Sequence, residues 1–173
     1  MIRILGIDPG SVTTGYGIIE SEGSRLRHIA HGIIRCTSPS TLPQRLGEIY
    51  RTIHELIETY QPDHAAIEKV FVKKNVDSAL KLGQARGAAI CAVNQSMEGM
   101  RGSFYEYSPT QIKKTLVGYG RAEKQQMQRM VTTLLGLTVS PQQDAADALS
   151  CAICHAHHYG NAALMMANSY QLA

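Results

Sequence analysis

Four acidic residues of this chain lie in or beside apolar segments, where carboxylates are unfavourable. Asp8 and Glu68 each follow a run of apolar residues, while Asp144 and Asp147 lie in an alanine-rich stretch. Removing a lone carboxylate from water costs several kcal/mol unless it is paired, hydrogen-bonded or bound to a metal. If the segments converge, the acids form an oxygen-only, anionic pocket suited to Mg²⁺ or Mn²⁺. Taken singly, each acid is equally typical of a turn or a helix start.

Length and composition predict one globular domain. The chain has 173 residues, of which 44% are hydrophobic and 18% charged. It lacks an apolar run of the roughly 18 residues that a membrane span requires, and its beginning does not resemble a signal peptide. We therefore expect a cytoplasmic protein with no membrane partner. In that compartment, free thiols are expected at Cys36, Cys91, Cys151 and Cys154.

Charge is unevenly distributed along the chain. Residues 69–129 contain eleven Lys and Arg but only four Asp and Glu, although the whole protein carries a net charge of only +3. The segments before and after are slightly acidic and hold the four carboxylates. This charge pattern favours binding of a polyanion whose backbone approaches a metal site. It is also compatible with an ordinary solvated surface.

The order of apolar patterns predicts an α/β domain built on a mixed sheet. The Ser-Pro pairs at 108–109 and 140–141 are typical helix starts, and the second places Asp144 and Asp147 on one face of its helix. Functional sites in such sheets gather at strand ends, where Asp8 and Glu68 fall. The predicted order is strands 2–8, 16–20 and 25–35, a helix from 42, strand 64–70, helix 78–97, strand 103–107, and helices from 109, 122 and 141.

Four sequence blocks carry a family resemblance. They are Gly6-Ile-Asp-Pro-Gly-Ser11, Ile67-Glu-Lys-Val-Phe71, the segment 77–87, and Asp144-Ala-Ala-Asp-Ala-Leu149. Together they resemble the RuvC family of bacterial Holliday-junction resolvases over about residues 2–158. The resemblance implies a ribonuclease-H-like fold, with a five-stranded mixed sheet flanked by helices. Because the resemblance ends near residue 158, we expect a nuclease domain at 1–158 and a C-terminal tail at 159–173, about which the resemblance implies nothing.

The resemblance also implies a function. Its members are homodimeric endonucleases that nick two strands of a four-way DNA junction symmetrically, in recombination and repair, alongside the branch-migration proteins RuvA and RuvB. Asp8, Glu68, Asp144 and Asp147 match the family's metal-binding residues position by position, and we expect them to be catalytic. Two Mg²⁺ ions about 4 Å apart, or Mn²⁺ in their place, would activate the attacking water and stabilise the leaving 3′ oxygen.

Several basic residues and one aromatic are candidate DNA contacts. Lys124 matches a family lysine near the scissile phosphate, and we expect it to stabilise charge in the transition state unless it is an ordinary solvated helix lysine. Phe71 lies beside a basic loop and is a candidate platform for stacking an unpaired base, although a core role is the usual alternative. The expected backbone contacts are Lys73, Lys74, Lys81, Arg86, Lys113 and Lys114. The small residues of helix 78–97 predict a close helix contact between two protomers, unless they pack against the protein's own sheet.

Other interpretations remain at this stage. Cys151-Ala-Ile-Cys154-His155 matches the spacing of a haem attachment motif, but its apolar neighbours favour a buried helix. A zinc site there would lack a second ligand pair. We interpret His155, His157 and His158 as helix C-terminal residues stabilised by the helix dipole. The competing functions are an actin-like ATPase, a nuclease acting on RNA, and a non-catalytic junction-binding protein.

Overall fold

The computed structural model describes residues 1–35, 41–69, 75–97 and 103–170, with side chains described as far as residue 162. These residues form five strands and five helices. In chain order they are β1 (Ile2–Asp8), β2 (Thr13–Glu22), β3 (Arg25–Arg35), α1 (Leu42–Tyr60), β4 (His64–Glu68), α2 (Val76–Ser96), β5 (Ser103–Tyr107), α3 (Pro109–Val117), α4 (Lys124–Leu134) and α5 (Gln143–Tyr170).

One mixed sheet forms the centre of the protein, with the strand order β3-β2-β1-β4-β5. The first three strands form an antiparallel meander, and β4 and β5 run parallel to β1. The predicted α/β architecture with a five-stranded mixed sheet is therefore confirmed. Because β1 lies between β2 and β4, its carboxyl end has neighbouring strands on both sides.

Different helices pack on the two faces of the sheet. Leu5 and Ile7 of β1 pack on one face in a core shared with α1 and α2. Ile4 packs on the other face with α3, α4 and α5. This division follows from the two-residue period of a strand, which sends successive side chains to opposite faces.

The helix starts follow the capping chemistry of the sequence, and those of α2, α4 and α5 each lie two residues from the predicted start. Ser108 caps α3 in a capping box with Gln111, and Asn75 caps α2 by accepting a hydrogen bond from the Ser78 amide. Helix α5 begins at Gln143, two residues after the predicted start. It continues to Tyr170, so the proposed boundary at residue 158 falls inside a helix, and the division into domain and tail stays a prediction.

The interpretation of His155, His157 and His158 as helix C-terminal residues is wrong, because α5 continues to Tyr170. His155 lies in the protein core. The side chain is buried, and its Nε2 lies 2.8 Å from His64 Nδ1 while the Tyr107 hydroxyl lies 2.9 Å from its Nδ1. Burial lowers the pKa of His155 to about 3, which keeps the imidazole neutral near pH 7. Its role is to pack in the core and satisfy buried polar partners.

The described cysteines carry free thiols, as predicted. Cys151 and Cys154 are buried in α5 and Cys91 is exposed on α2, while Cys36 lies outside the described residues. Burial raises the pKa of the Cys151 thiol, so it remains protonated and behaves as a small apolar side chain. Within the described ranges, no helix has the length and apolar character needed to cross a bilayer.

Candidate active site

Strand alternation directs Asp8 and Glu68 toward the same helix. Asp8 shares the α5 face of β1 with Ile4, and Glu68 shares the α5 face of β4 with Ala66. The parallel register of β1 and β4 pairs Ile7 with Ile67, so the two acids follow at equivalent positions on neighbouring strands. The sheet alone therefore places two carboxylates side by side at its carboxyl edge.

Helix α5 adds the other two acids by lying directly on β1 and β2. A Cβ atom added to Gly6 would lie 2.1 Å from the Ala148 carbonyl oxygen, and one added to Gly15 would lie 1.9 Å from the Asp144 carbonyl oxygen. Real Cβ atoms do not approach backbone oxygens so closely, so these glycines permit the contact. Because the first turn of α5 lies against the start of β2, Asp144 and Asp147 reach the carboxyl edge of the sheet.

The four predicted acids line one cleft of about 570 Å³. Lys113 and Lys124 line it too, and Lys69 joins them directly after Glu68. All three lysines come from the basic segment of the sequence. The structure thus brings together Asp8, Glu68, Asp144, Asp147, Lys113 and Lys124 from β1, β4, α3, α4 and α5.

Electrostatics within the cleft favour a bound cation. Burial raises the pKa of Asp8 to about 8, and repulsion from Asp147, Glu68 and Asp144 adds to that rise, while Lys124 opposes it. Burial also raises the pKa of Asp147, against the lowering effects of Lys124 and Lys113. Carboxylates that repel one another in a partly dry site are stabilised in their charged form by positive charge.

The donor set fits a hard divalent cation such as Mg²⁺, because every acidic ligand candidate offers only oxygen. In the part of the chain that the structure describes, no three His, Cys, Asp or Glu side chains are arranged to hold a metal ion by themselves. Mg²⁺ usually binds through one or two carboxylates, with waters and substrate phosphates completing its shell. An open cleft with acids on several walls is compatible with that mode. The assignment of the four acids as metal ligands stays a prediction.

The remaining predicted contacts have different environments. Lys81 forms an ion pair with Asp77 within α2, with 2.6 Å between Nζ and Oδ2, and Arg86 forms one with Glu106 of β5. Lys114 is exposed in the last turn of α3. Phe71, Lys73 and Lys74 lie outside the described residues. Of the predicted backbone contacts that are described, Lys113 is the one that lines the cleft.

Sequence reasoning missed two side-chain contacts near the turn that follows Asp8. Thr13 Oγ1 donates a hydrogen bond to Asp144 Oδ2 at 2.6 Å, and Arg45 Nη1 donates one to the Ser11 carbonyl oxygen at 2.9 Å. The residues of the first pair are separated by 131 positions, so no local pattern could have joined them. The polar composition of the turn was the one available signal.

Comparison with known proteins agrees with this geometry. Residues 4–155 match the family model described as crossover junction endodeoxyribonuclease RuvC. The chain belongs to the RuvC family. Two relatives carry that description. The one from Acinetobacter baumannii is 53% identical, and the match covers 93% of this chain and 86% of the relative. The one from Shewanella frigidimarina is 55% identical, and the match covers 92% of this chain and 89% of the relative. The resemblance inferred from the four sequence blocks is thereby confirmed.

The fold has a solved counterpart within the family. The structure of Thermus thermophilus RuvC in complex with a Holliday junction substrate superposes with a TM-score of 0.85 and 29% identity, covering 94% of this chain and 97% of the other. The prediction of a ribonuclease-H-like resolvase fold is confirmed by this match. The competing function of an actin-like ATPase is excluded by the family assignment.

Proposed function

We propose that this protein is an endodeoxyribonuclease that resolves four-way DNA junctions by paired symmetric nicks during recombination and repair. The observation that carries the proposal is the cleft in which Asp8, Glu68, Asp144 and Asp147 meet lysines of the basic segment. Such a surface combines sites for cations with positive charge for a phosphate backbone. The RuvC family assignment supplies the substrate class, and the Thermus thermophilus relative was solved with a Holliday junction.

We further propose that the four acids hold two Mg²⁺ ions, for which Mn²⁺ can substitute. When bound, such ions supply Lewis-acid activation of water and stabilise charge on the leaving oxygen. The acids orient the cations and offset their charge. Lys124 lowers the pKa of both Asp8 and Asp147 and so favours their ionised form, and because it lines the cleft we expect it to contact the scissile phosphate. Lys113 is placed for a similar contact from α3.

One assay tests the proposed function. A synthetic four-way junction, the matching linear duplex and an RNA–DNA hybrid are each incubated with the protein, with and without Mg²⁺. We expect paired nicks in the junction only, and only with the metal. Preferential cutting of the hybrid would instead favour the RNA-acting alternative, and tight junction binding without any nick would favour the non-catalytic one.

The described basic residues are proposed to differ in how readily they contact DNA. Lys113 lines the cleft from α3 and Lys114 follows it on the exposed side of that helix. Lys81 and Arg86 would first have to leave Asp77 and Glu106, with which they form ion pairs. We therefore expect neutralising Lys113 or Lys114 to weaken junction binding more than neutralising Lys81. Lys73 and Lys74 remain proposed contacts from the sequence.

Phe71→Ala is expected to leave junction binding largely intact and to slow cleavage. The reason is that base stacking on an aromatic side chain contributes about 1–3 kcal/mol. Phe71→Tyr keeps the ring and is the matched control, expected to cut at close to the wild-type rate. Single-turnover cleavage and gel-shift binding on one junction measure both quantities. Equal cleavage by the alanine variant would remove Phe71 from the DNA-contacting residues.

We propose that the protein acts as a two-fold homodimer through α2. A four-way junction presents two equivalent strands, and closed isologous pairing would fix two sites relative to them. The inner face of α2 packs Ala85 and Ala89 into the protein's own core. Its outer face presents a stripe of residues at helical spacing, in which the glycines have open space at the Cβ position. This α2 stripe consists of the exposed Val76, Leu80 and Gly83 and the half-buried Gly87.

Gly87→Leu is expected to shift the protein toward monomer, because a bulky side chain would block close approach of two α2 backbones. Gly47→Leu in α1 is the matched control, since a Cβ there meets only the flexible end of Arg51 at 3.4 Å. Light scattering at micromolar concentration measures the mass. A Gly87→Leu variant that stays dimeric would move the interface away from the α2 stripe. A wild-type monomer that still makes paired nicks would contradict the dimer itself.

Two further expectations rest on the family alone. We propose that the protein works with the branch-migration proteins RuvA and RuvB, and that it acts in the cytoplasm, where chromosomal junctions arise in bacteria. A pull-down of the purified protein with RuvA and RuvB on a junction would test the first proposal.

A further inference from the structure

We propose that Thr13 is a positioning residue that orients the Asp144 carboxylate toward the cation site, an inference that rests on the proposed function. Thr13 lies at the start of β2 and Asp144 in the first turn of α5. The Thr13 hydroxyl donates to Asp144 Oδ2 across 2.6 Å, a short hydrogen bond to a charged acceptor. Both side chains are half-buried, and Asp144 lines the cleft.

The fold brings this hydroxyl to Asp144 from the strand that pairs with Asp8. Antiparallel pairing sets Asp8 at the end of β1 opposite Gly15 of β2. Gly15 lies against the Asp144 backbone, because a Cβ there would meet its carbonyl oxygen. Thr13 is two residues before Gly15, so the strand that pairs with Asp8 also carries the donor for Asp144.

The turn between β1 and β2 is secured by other contacts. Thr14 Oγ1 donates to the Gly10 carbonyl oxygen at 3.0 Å and accepts from the Gly10 amide at 3.2 Å. Arg45 of α1 donates to the Ser11 carbonyl oxygen. Because these bonds close the turn without Thr13, its side chain is available for a role that the backbone does not require. Loss of the Thr13 hydroxyl should therefore spare the turn.

The chemical consequence concerns which oxygen of Asp144 meets a cation. A carboxylate rotates about its terminal bond, and the hydrogen bond from Thr13 to Oδ2 restricts that rotation and would leave Oδ1 as the oxygen available to a cation. Hydrogen-bond partners of metal-binding carboxylates typically change metal affinity or activity about 10- to 100-fold when they are removed. Thr13 thus has the position and the chemistry of such a partner.

The test compares Thr13→Val, which is isosteric but lacks the hydroxyl, with Thr13→Ser, which keeps it. Mn²⁺ binding to DNA-free protein is titrated by electron paramagnetic resonance, and melting temperatures are measured in EDTA. Thr59→Val, at an exposed threonine of α1, controls for replacing a hydroxyl with a methyl group. We expect Thr13→Val to weaken Mn²⁺ binding about 10- to 100-fold, with a melting temperature close to that of the control, and Thr13→Ser to restore affinity.

Each outcome bears on the inference. Wild-type Mn²⁺ affinity in Thr13→Val overturns it, and so does a weakened Thr13→Ser variant that remains folded, because the hydroxyl would then not be the cause. If Thr13→Val does not fold, Thr13→Ala is titrated in its place and judged in the same way. Failure of the proposed function is distinguishable, because the wild-type protein itself would then bind no Mn²⁺ or fail to nick junctions.

Discussion

Asp8→Asn is expected to abolish junction cleavage and, in the absence of metal, to make the protein more stable. Asparagine has nearly the same shape as aspartate but no charge, so the change would remove a proposed metal ligand, and we expect at least about a 100-fold loss in cleavage, the upper range for losing even an indirect metal contact. The stability gain arises because Asp8 is held among three other carboxylates, and burial together with their repulsion raises its pKa to about 8. Active sites commonly carry such unfavourable groupings.

The pH dependence of this gain follows from linkage. The unfolded chain releases the Asp8 proton near pH 4, whereas the folded protein holds it up to about pH 8. The protonated Asp8 carboxyl group therefore makes its full contribution to folding stability below pH 4. That contribution is lost as the pH rises through the folded-state pKa of about 8. In EDTA we expect little difference between Asp8→Asn and wild type at pH 4. Above pH 8 the variant should be more stable by roughly 1 kcal/mol or more, or about 2–4 °C in Tm.

Corresponding substitutions of the other three acids, with one exposed glutamate as a control, extend this experiment. Glu68→Gln, Asp144→Asn and Asp147→Asn should also lose cleavage while binding junctions normally. Glu55→Gln, on the exposed surface of α1, is the matched control and should change neither property. Near wild-type nicking by any of the four variants would remove that residue from the site. Equal melting of Asp8→Asn and wild type at pH 9 would contradict the unfavourable burial of the Asp8 carboxylate and its repulsion by the other acids.

Gly15→Ala is expected to destabilise the fold and to slow cleavage together. The new Cβ would lie 1.9 Å from the Asp144 carbonyl oxygen and 2.4 Å from its carbonyl carbon, so the first turn of α5 must move away from β2. Overpacking of this kind costs about 1–3 kcal/mol. A shift of about 1 Å in a reacting group can also cost about 100-fold in rate. Urea denaturation and single-turnover cleavage measure the two effects.

Gly47→Ala provides the contrast for Gly15→Ala. Gly47 lies within α1, where a Cβ meets only the Arg51 side chain, and alanine is favoured over glycine in a helix by about 0.5–1 kcal/mol. The same substitution should therefore stabilise one site and destabilise the other. A Gly15→Ala protein with wild-type stability and activity would show that α5 tolerates displacement from β2.

The local sequence determined where strands and helices form, and toward which face of the sheet Asp8 and Glu68 point. Alternating apolar residues predict β1, and the same two-residue period sends Asp8 to the face of Ile4. The Ser108-Pro109 pair sets the start of α3 through chemistry confined to one turn. These features could be predicted because each depends on residues within a few positions of one another.

Tertiary structure alone decided which partners meet across the fold. Spacing placed Asp144 and Asp147 on one helix face, but the distance from that helix to the sheet depends on the absent side chain of Gly15. The histidine of the Cys-x-x-Cys-His motif, His155, lies within α5 and not at its end, and its side chain is buried against His64. The Thr13–Asp144 bond joins residues 131 positions apart. Such contacts follow from packing between distant segments, which no local periodicity encodes.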